Sequence, residues 1–287
     1  MKPELKDSIG LLLGTKIKNC VPVSGGDISR AFVLYTASDR VFCKLNSSLT
    51  ARSMFEAEAD GLKAITKTKT LKTPFVYGVK ELDEGACLLM EYVTSKSPES
   101  TDMEIFGAQL AAMHQTSSEY YGWENPNFIG NLPQSNQKHD NWISFYIKER
   151  LSPQFQAAID RKYLTKNDVP GNEKLQTVIA SCCSDVNPSL LHGDLWSGNY
   201  LIAENGEPYL IDPAVYFGHS EIDLSMSRLF GGFSSSFYSA YFEINPSLPG
   251  ESNRMAIYQL YYLLVHLNMF GKSYYKSVME ILKVHFQ

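Results

Sequence analysis

The sequence HGDLWSGN occupies residues 192–199, and IDP follows at residues 211–213. Two short apolar runs lie between these stretches, on either side of an Asn-Gly pair at residues 205–206. An Asn-Gly pair between apolar runs is a strong indication of a β-hairpin turn. A hairpin brings its two ends together, so we expect Asn199 and Asp212 to lie side by side and to reach the same ion.

Asp194, Asn199 and Asp212 carry the oxygen atoms that phosphoryl transfer requires. Amide and carboxylate oxygens suit Mg²⁺ that arrives with the phosphates of a nucleotide, so we assign Asn199 and Asp212 as metal ligands. Asp194 lies upstream in the same loop and is then free to accept the proton of an attacking hydroxyl group. Each residue alone is more often a simple turn former. Their conjunction, in this order along the chain, predicts an ATP-dependent kinase.

Phosphoryl transfer also needs a cation on the phosphates that are not transferred, and Lys44 is the candidate. It lies in the second strand of a predicted hairpin formed by residues 28–36 and 41–45, although a lone lysine in a strand more often protects a sheet edge. The helix that follows offers Glu56 and Glu58 as partners. At about 100° per residue, Glu58 falls beside the apolar face, whereas Glu56 points away and fits a capping role. We therefore pair Lys44 with Glu58.

The first third of the chain is predicted to contain strands and one helix. A Ser-x-x-Glu capping box at residues 53–56 indicates where that helix begins. Residues 86–93 (ACLLMEYV) form a continuous apolar run that predicts a buried strand. The polar segment 95–100 then predicts a linker. We place the boundary between two lobes here, with an N-terminal nucleotide-binding lobe at 1–94 and a C-terminal catalytic and substrate lobe at 95–287.

The remaining two thirds of the chain are predicted to be mostly helical. A second capping box at residues 101–104 precedes apolar residues at helical spacing, and residues 255–270 predict a buried helix. A tract rich in Asn, Gln and Pro at 125–137 predicts an ordered surface loop. The predicted fold class is therefore α+β, a two-lobed protein-kinase-like fold with a small β-rich N-terminal lobe and a larger helical C-terminal lobe.

Gly25 and Gly26 are the candidates for a loop that covers the phosphates. Two adjacent glycines allow backbone amides to approach phosphate oxygens closely. The pair alone would be an ordinary hairpin turn, and the surrounding sequence is not Gly-x-Gly-x-x-Gly. Its position between the first two predicted strands supports the assignment.

The composition excludes several classes of function. A net charge of −5 and a pI of about 5.7 argue against a nucleic-acid-binding surface. The number of cysteines is odd, no Cys-x-x-Cys pair is present, and Cys43 and Cys87 lie in apolar runs that predict core positions. No apolar stretch approaches the length of a membrane span, and the first residues do not form a signal peptide. A soluble protein of the cytoplasm, a reducing compartment, is expected.

The sequence resembles the fructosamine kinase family, also called ketosamine-3-kinases, which is related to the aminoglycoside and choline kinases. The chain has an extra residue at 140–142, where the family reads Asp-Trp. The resemblance covers nearly the whole chain and is carried by PVSGGDIS (22–29), MFEAEA (54–59), DNW (140–142), Phe145, Arg150-Leu151, LHGDLWSGN (191–199), IDPAVY (211–216), YQLY (258–261) and HLN (266–268).

The resemblance implies the same division of roles. Asp194 would be the catalytic base, and Asn199 and Asp212 would bind Mg²⁺. Lys44 and Glu58 would form the ion pair that binds the phosphates of ATP. Family members phosphorylate the 3-hydroxyl of ketosamines, and the unstable 3-phosphate then leaves, so the outcome is deglycation.

The resemblance also implies where adenine and the sugar bind. The strand that ends in Glu91, Tyr92 and Val93 would lead into the hinge, where backbone groups of Glu91 and Val93 meet adenine. Trp196 lies two residues after the proposed base, where an indole face could pack on a sugar ring. Plain packing in the core is an equally good interpretation of Trp196. The implied partner is a ketosamine, either small or protein-bound, with no nucleic acid and no membrane, and the oligomeric state stays open.

Two departures from the wider protein-kinase pattern bear on regulation. His-Gly-Asp replaces His-Arg-Asp, and Asp-Pro-Ala replaces Asp-Phe-Gly. The missing arginine removes the usual anchor for a phosphate on an activation loop, and little chain lies between Asp212 and Asp223 to form such a loop. We therefore expect no regulation by loop phosphorylation.

Two alternatives remain at this point. A kinase for an aminoglycoside or an amino alcohol would call for an acidic wall, and Glu221, Asp223, Glu243 and Glu251 are the available residues, although the sequence alone does not place them in the cleft. A pseudokinase would lack at least one of the catalytic residues, and all of them are present.

Overall fold

The computed structural model describes residues 3–23, 28–183 and 186–286 of the chain. Its strands are β1 (Asn19–Val23), β2 (Arg30–Tyr35), β3 (Arg40–Asn46), β4 (Val76–Glu81), β5 (Ala86–Glu91), β6 (Ser95–Lys96), β7 (Asn127–Ile129), β8 (Leu132–Gln134), β9 (Ser189–Leu191), β10 (Tyr200–Ala203), β11 (Pro208–Leu210) and β12 (Tyr216–Gly218).

The helices are α1 (Pro3–Leu13), α2 (Ala51–Thr68), α3 (Ser100–His114), α4 (Trp142–Phe145), α5 (Ser152–Asp160), α6 (Asn172–Cys182), α7 (Glu221–Leu229), α8 (Ser235–Ile244), α9 (Glu251–Phe270) and α10 (Tyr275–Phe286). A π-helix (Tyr146–Leu151) follows α4, and a 3-10 helix (Lys272–Tyr274) precedes α10. Within the described ranges, none of the helices is both long and apolar enough to cross a membrane.

The N-terminal lobe is built on one antiparallel sheet, in the order β1-β2-β3-β5-β4. Side chains alternate across β3, so that Cys43 and Leu45 pack with α1 on one face, and Phe42 packs with α2 on the other. Cys87 joins the first of these two cores, and both cysteines are fully buried, as predicted. Because both faces are covered, β3 and β5 are almost wholly apolar between their polar end residues. Lys44 is the exception, and its side chain lies on the face towards α2.

The helix α2 begins earlier than predicted. It starts at Ala51, so the expected capping box at residues 53–56 lies inside the helix and is wrong. The Ser53 hydroxyl donates to the carbonyl of Thr50, and Glu56 pairs with Arg52 on the exposed surface. A Ser-x-x-Glu spacing fits the interior of a helix as well as its start, so the pattern alone could not fix the boundary.

The start of α3 is shifted in the same way. The capping box is formed by Glu99 and Asp102, not by residues 101–104 as predicted. The Glu99 side chain accepts from a backbone N–H in the first turn, while Asp102 accepts from the backbone N–H of Glu99 at 2.9 Å. Glutamate is an uncommon N-cap residue, so the sequence pattern favoured the neighbouring threonine.

The C-terminal lobe packs around α9, which is buried over most of its length, as the apolar run at 255–270 predicted. The hairpin β10–β11 forms where the Asn-Gly turn predicted it. Its first strand also pairs with β6, the short strand that follows the N-terminal sheet. The predicted α+β fold, with a small β-rich N-terminal lobe and a larger helical C-terminal lobe, is confirmed.

The polar tract at 125–137 is not a surface loop. It contains the hairpin β7–β8, in which Asn127 and Gln134 are buried and bonded to each other at 2.7 Å. The buried guanidinium group of Arg150 donates to the carbonyl of Ser135 and to the side chain of Asn136. Buried amides need such partners, so part of the polar composition reflects an internal hydrogen-bond network.

Candidate active site

A cleft between the two lobes holds a cavity of about 840 Å³. It is lined by β2, β3 and α2 from the N-terminal lobe and by the segments around β10, β11 and α9 from the other lobe. Gly25 and Gly26, predicted to cover the phosphates, lie outside the described residues. The other predicted site residues all line the cleft: Lys44, Glu58, Glu91, Tyr92, Val93, Asp194, Trp196, Asn199 and Asp212.

Lys44 forms the ion pair that the helical-face reasoning predicted. Its Nζ lies 2.8 Å from the Glu58 carboxylate, and both side chains are largely buried. Lys44 also contacts the Asp212 carboxylate. A Cβ atom at Gly61 would lie 3.0 Å from the ring of Pro213, so α2 packs directly on the segment that follows Asp212. This contact positions α2, and with it Glu58, beside the lysine.

The two ends of the β10–β11 hairpin meet as predicted. The backbone N–H of Ile211 donates to the carbonyl of Asn199 at 3.0 Å, which places Asp212 next to Asn199. The Asn199 side-chain nitrogen donates to the backbone carbonyl of Asp194 at 2.8 Å and to its carboxylate at 3.1 Å. Since the nitrogen is used in this way, the amide oxygen is the atom that Asn199 can offer to a metal ion.

Asp194 has the properties of a general base. Burial raises the pKa of its carboxyl group to about 7, and the negative charge of Asp223 adds to the rise. The hydrogen bond from Asn199 opposes these effects. A carboxyl group with a pKa near the working pH is deprotonated often enough to act and basic enough to accept a proton.

Asp223 holds the loop that carries Asp194. Its two carboxylate oxygens accept from the backbone N–H groups of His192, at 2.7 Å, and Gly193, at 2.9 Å. The carboxylate is fully buried and also contacts His114 at 3.1 Å. From the sequence, Asp223 was a candidate only for an acidic wall and for the end of the short segment after Asp212. Residues 221–227 are all buried, and a carboxylate in the middle of such a stretch indicates a buried role.

Steric crowding explains why the middle residue of His-Gly-Asp is glycine. Gly193 has a φ of +84°, and a Cβ atom there would lie 2.1 Å from the carbonyl oxygen of Ala214. The backbone N–H of Ala214 donates to the carbonyl of His192 at 2.8 Å, so the segment after Asp212 lies directly on the catalytic loop. Asp212 itself has a φ of +55°. This conformation is strained for residues other than glycine, and strained residues cluster at functional sites.

The hinge segment offers its backbone to the cleft. The backbone N–H of Glu91 already donates to the carbonyl of Phe75 at 2.8 Å, so Glu91 can offer only its carbonyl to adenine. The Tyr92 ring lies under the guanidinium group of Arg40, 4.5 Å from it. Apolar side chains form the walls of this end of the cleft: Ala31, Phe42, Met90, Leu201 and Ile211.

The acidic wall considered for a polycationic substrate is not present. Glu221 forms a buried bidentate ion pair with Arg254, at 2.6 and 2.7 Å. Asp223 supports the catalytic loop, Glu251 pairs with Arg228, and Glu243 is exposed away from the cleft lining. The carboxylates that line the cleft in the described part of the chain are Glu58, Glu91, Asp194 and Asp212.

The side of the cleft beyond Asp194 is aromatic instead. The Trp196 side chain is 39% exposed, so the interpretation as plain core packing is wrong. Phe230, His266, Phe270 and Tyr274 also line the cleft, and the sequence analysis gave them no role. They come from the end of α7, from α9 and from the 3-10 helix, and only the HLN motif at 266–268 pointed to any of them.

The donor atoms in the cleft fit Mg²⁺ bound together with a nucleotide. Asn199 offers an amide oxygen and Asp212 a partly exposed carboxylate, the hard oxygen ligands that this ion prefers. Among the residues that the structure describes, no group of three or more His, Cys, Asp or Glu side chains could hold a metal. A site with two protein ligands relies on phosphate oxygens and water for the remaining positions.

Comparison with known proteins agrees with this geometry. A model of the fructosamine kinase family matches residues 1–287. The probable ketoamine kinase of Enterococcus faecium is 38% identical over 268 residues, which cover 92% of this chain and 94% of that protein. The ketosamine-3-kinase of Mus musculus is 35% identical over 313 residues and 99% of each chain.

Solved structures share the fold. A candidate fructosamine-3-kinase from Thermobifida fusca has a TM-score of 0.88 at 30% identity, over 99% of this chain and 98% of that chain. An aminoglycoside phosphotransferase in complex with ADP and hygromycin B has a TM-score of 0.65 at 17% identity, over 98% of each chain, which shows a common protein-kinase-like fold alone. The match over the whole length and the similarity to these relatives show that the chain belongs to the fructosamine kinase family.

Proposed function

We propose that this protein is an ATP-dependent ketosamine 3-kinase. It transfers the γ-phosphoryl group of ATP to the 3-hydroxyl of a sugar joined to an amine, of the fructosamine or ribulosamine type. The unstable phosphate ester then leaves, and the amine is freed of its sugar. The observation that carries this proposal is the convergence of Lys44, Asp194, Asn199 and Asp212 on one cleft, in a chain of the fructosamine kinase family.

In this reaction Asp194 accepts the proton of the 3-hydroxyl as the new oxygen–phosphorus bond forms and the bond between the β and γ phosphates breaks. Lys44 pairs with the phosphates that are not transferred, and Glu58 holds the lysine in place. The Asp212 carboxylate, which contacts Lys44 in this structure, is the acidic metal ligand, and Asn199 is the neutral one. Bound Mg²⁺ would neutralise negative charge on the phosphate oxygens.

The remaining contacts complete the proposal. The carbonyl of Glu91 and the backbone of Val93, with Tyr92 between them, bind adenine at the hinge. Gly25 and Gly26 are assigned to cover the phosphates from their place in the sequence alone, since they lie outside the described residues. Trp196 packs an indole face on the sugar, and its side chain is exposed enough for this contact. The same proposal includes the lobe boundary between residues 94 and 95. It also includes a cytoplasmic location, because the free thiols of all five cysteines suit a reducing compartment.

An aminoglycoside or amino-alcohol kinase is the competing function. The fold likeness to an aminoglycoside phosphotransferase would allow it. Recognition of several positive charges needs carboxylates, however, and those of the described cleft lining belong to the catalytic groups and the hinge. The cleft lining therefore disfavours a polycationic aminoglycoside, and membership of the fructosamine kinase family favours a ketosamine over an amino alcohol.

The test is ATP turnover on a panel that contains a ribulosamine, a fructosamine, an aminoglycoside and choline. We expect turnover of at least one ketosamine, and NMR of the product should place the phosphate on the 3-hydroxyl. Phosphate on any other hydroxyl, or equal turnover of the aminoglycoside, would disprove the ketosamine assignment while leaving a kinase. ATP binding without turnover of any of these compounds would revive the pseudokinase alternative.

A further inference from the structure

The buried amides of the β7–β8 hairpin are bonded to the segment that follows Asp212. The Asn127 side-chain nitrogen donates to the backbone carbonyl of Val215 at 2.8 Å. The Gln134 side-chain nitrogen donates to the Asn127 amide oxygen at 2.7 Å and reaches the carbonyl of Ala214 at 3.5 Å. Both side chains are buried, so water does not compete for these bonds. The hairpin is thus attached to two consecutive carbonyl groups, two and three residues after the proposed metal ligand.

The segment between Asp212 and these carbonyl groups is stiff. Pro213 follows Asp212, and its ring fixes one of the backbone rotations that separate Asp212 from Ala214. Asp212 has a φ of +55°, and a strained conformation persists only where the surrounding structure holds it. The catalytic loop holds the N–H of Ala214, which donates to the carbonyl of His192 at 2.8 Å. The hairpin amides hold the carbonyls that follow, so the direction of the Asp212 carboxylate depends on both sets of contacts.

The hydrogen bonds of the hairpin amides can run in one direction only. The carbonyl of Val215 can only accept, so Asn127 presents its nitrogen there and its oxygen to Gln134. Gln134 must then present its nitrogen to Asn127, which leaves the Gln134 oxygen to accept from the hydroxyl of Tyr261 on α9. Burial raises the pKa of Tyr261, so this hydroxyl keeps the proton that it donates. The chain from Tyr261 to Val215 therefore has a single bonded arrangement.

The hairpin is itself anchored at its turn and beyond its second strand. Gly130 in the turn has a φ of +60°, and a Cβ atom there would lie 2.5 Å from the side chain of Met269. The turn therefore packs directly on α9. After β8, the buried guanidinium group of Arg150 donates to the carbonyl of Ser135 and to the Asn136 side chain, each at 2.7 Å. An anchored hairpin can hold the segment to which it is bonded.

The burial of two amides needs a reason. Apolar side chains of similar volume would fill the same space without removing polar groups from water. A fully bonded polar network, in contrast, makes its surroundings rigid and fixes one arrangement of them. In this hairpin the network ends on the carbonyl groups of Ala214 and Val215. The arrangement that it fixes is therefore that of the segment carrying Asp212.

We propose that Gln134, Asn127 and Tyr261 are positioning residues for the proposed Mg²⁺ site. They act through the backbone that follows Asp212, and they set the direction in which its carboxylate points. Without them the carboxylate would be free to leave the position in which it contacts Lys44 and adjoins the metal site. This inference rests on the proposed function, because the metal in question is the one that the proposed kinase uses with ATP.

The test measures the dependence on Mg²⁺ of Gln134→Met, which keeps a side chain of similar length and loses the amide. The Mg²⁺ concentration that gives half-maximal turnover of a ketosamine should rise about tenfold, because residues that support a metal ligand typically contribute at least this much to metal affinity. At saturating Mg²⁺ and ATP, kcat should return to within about twofold of wild type. A second measurement does not need turnover: the Mn²⁺ complex of ADP, followed by EPR, should bind about tenfold more weakly.

Tyr261→Phe is a milder variant of the same network. It keeps the buried ring and removes only the hydroxyl that donates to Gln134. Loss of one hydrogen bond should raise the Mg²⁺ concentration for half-maximal turnover by about threefold, in the same direction as Gln134→Met. If Gln134→Met does not fold, Tyr261→Phe decides the question.

Gln154→Met is the matched control. Gln154 is a buried amide that accepts from a second buried amide, Asn268, at 2.8 Å, and neither residue lines the cleft. This variant should lower Tm as Gln134→Met does, yet leave the dependence on Mg²⁺ and the binding of Mn²⁺–ADP at wild-type values.

Three outcomes would overturn the positioning role. They are a wild-type dependence on Mg²⁺ in both network variants, an equal change in Gln154→Met, and a loss of turnover that excess Mg²⁺ does not restore. In each case wild type still acts on a ketosamine, and the proposed function stands. Failure of wild type to bind Mn²⁺–ADP or to phosphorylate any ketosamine would instead overturn the proposed function.

Discussion

Replacing Asp194 by asparagine removes a carboxyl group whose ionisation opposes folding. Its pKa is about 7 in the folded protein, against an ordinary value of 3.8, because burial and the charge of Asp223 disfavour the carboxylate. Between these two values the folded protein binds a proton that the unfolded chain does not bind. The free energy of unfolding of wild type therefore falls as pH rises from about 4 to about 7, and it levels off above.

The size of the effect follows from that interval. One pKa unit corresponds to about 1.4 kcal/mol of free energy. Between pH 5.5 and pH 8.5, only the part below the folded-state pKa of about 7 contributes, so wild type loses on the order of 2 kcal/mol. Asparagine cannot ionise, so Asp194→Asn should become more stable relative to wild type by this amount over the same interval. For a protein of this size, that is a shift in Tm of roughly 3–4 °C.

The assay is thermal unfolding of both proteins without nucleotide, at pH 5.5 and pH 8.5. Asp60→Asn is the matched control, because the Asp60 side chain is 59% exposed on α2, and its Tm difference from wild type should not change with pH. A difference between Asp194→Asn and wild type that is the same at both pH values would refute the assignment of a desolvated carboxylate.

The same group should control the pH dependence of activity. The base must be deprotonated, so kcat/KM of wild type should fall by about tenfold per pH unit below about pH 7. Asp194→Asn should lose most of its turnover while binding ATP nearly as well as wild type, because the carboxylate contacts the acceptor and not the nucleotide. Retention of more than a tenth of the wild-type rate would show that another group accepts the proton.

Five further substitutions, in three sets, test the cleft. Lys44→Met should lower turnover strongly, and Glu58→Gln should lower it less. Glu56→Gln should leave turnover unchanged, because the Glu56 side chain pairs only on the exposed surface. Steady-state assays in which Glu56→Gln lowers turnover more than Glu58→Gln would contradict the assigned pair. Gly193→Ala should lower both Tm and turnover, since a Cβ atom has no room there and φ is positive; calorimetry showing wild-type stability would contradict this. Trp196→Ala should raise KM for the ketosamine by roughly 5- to 150-fold, with little change in KM for ATP; an unchanged KM for the sugar would remove Trp196 from the substrate site.

Much of the fold could be predicted because its local signals agree with its tertiary structure. The Asn-Gly turn is compatible with few structures other than a hairpin, and the apolar run at 86–93 fits a strand covered on both faces. The helix starts were less predictable, because Ser-x-x-Glu at 53–56 satisfies both a cap and a helix interior. The polar tract at 125–137 was misjudged, since composition cannot distinguish amides that face water from amides bonded to each other.

The candidate site, like the fold, was predictable only in part. Asn199 and Asp212 could be brought together from the sequence, because a hairpin imposes their proximity, and the pairing of Lys44 with Glu58 follows from helix periodicity. The supporting carboxylate of Asp223 and the cleft-lining aromatic residues of α9 could not. These depend on how α7 and α9 pack on the catalytic loop, a long-range arrangement that no local pattern encodes.

The contacts that hold the catalytic loop support the expectation that no phosphorylation switch acts on it. Asp223 binds two backbone N–H groups of the loop, and Gly193 lies against the carbonyl of Ala214, so both flanks of Asp194 are fixed by buried groups. The chain after Asp212 enters β12 at once, pairs with β9 and continues into α7. A switch needs a segment with two arrangements of similar free energy, and a stretch this short with these bonds has one. In His-Gly-Asp, glycine stands where protein kinases have the arginine that anchors a loop. This glycine packs directly on the segment that follows Asp212. Asp194, the proposed base, is thereby held in place before substrate and ATP bind.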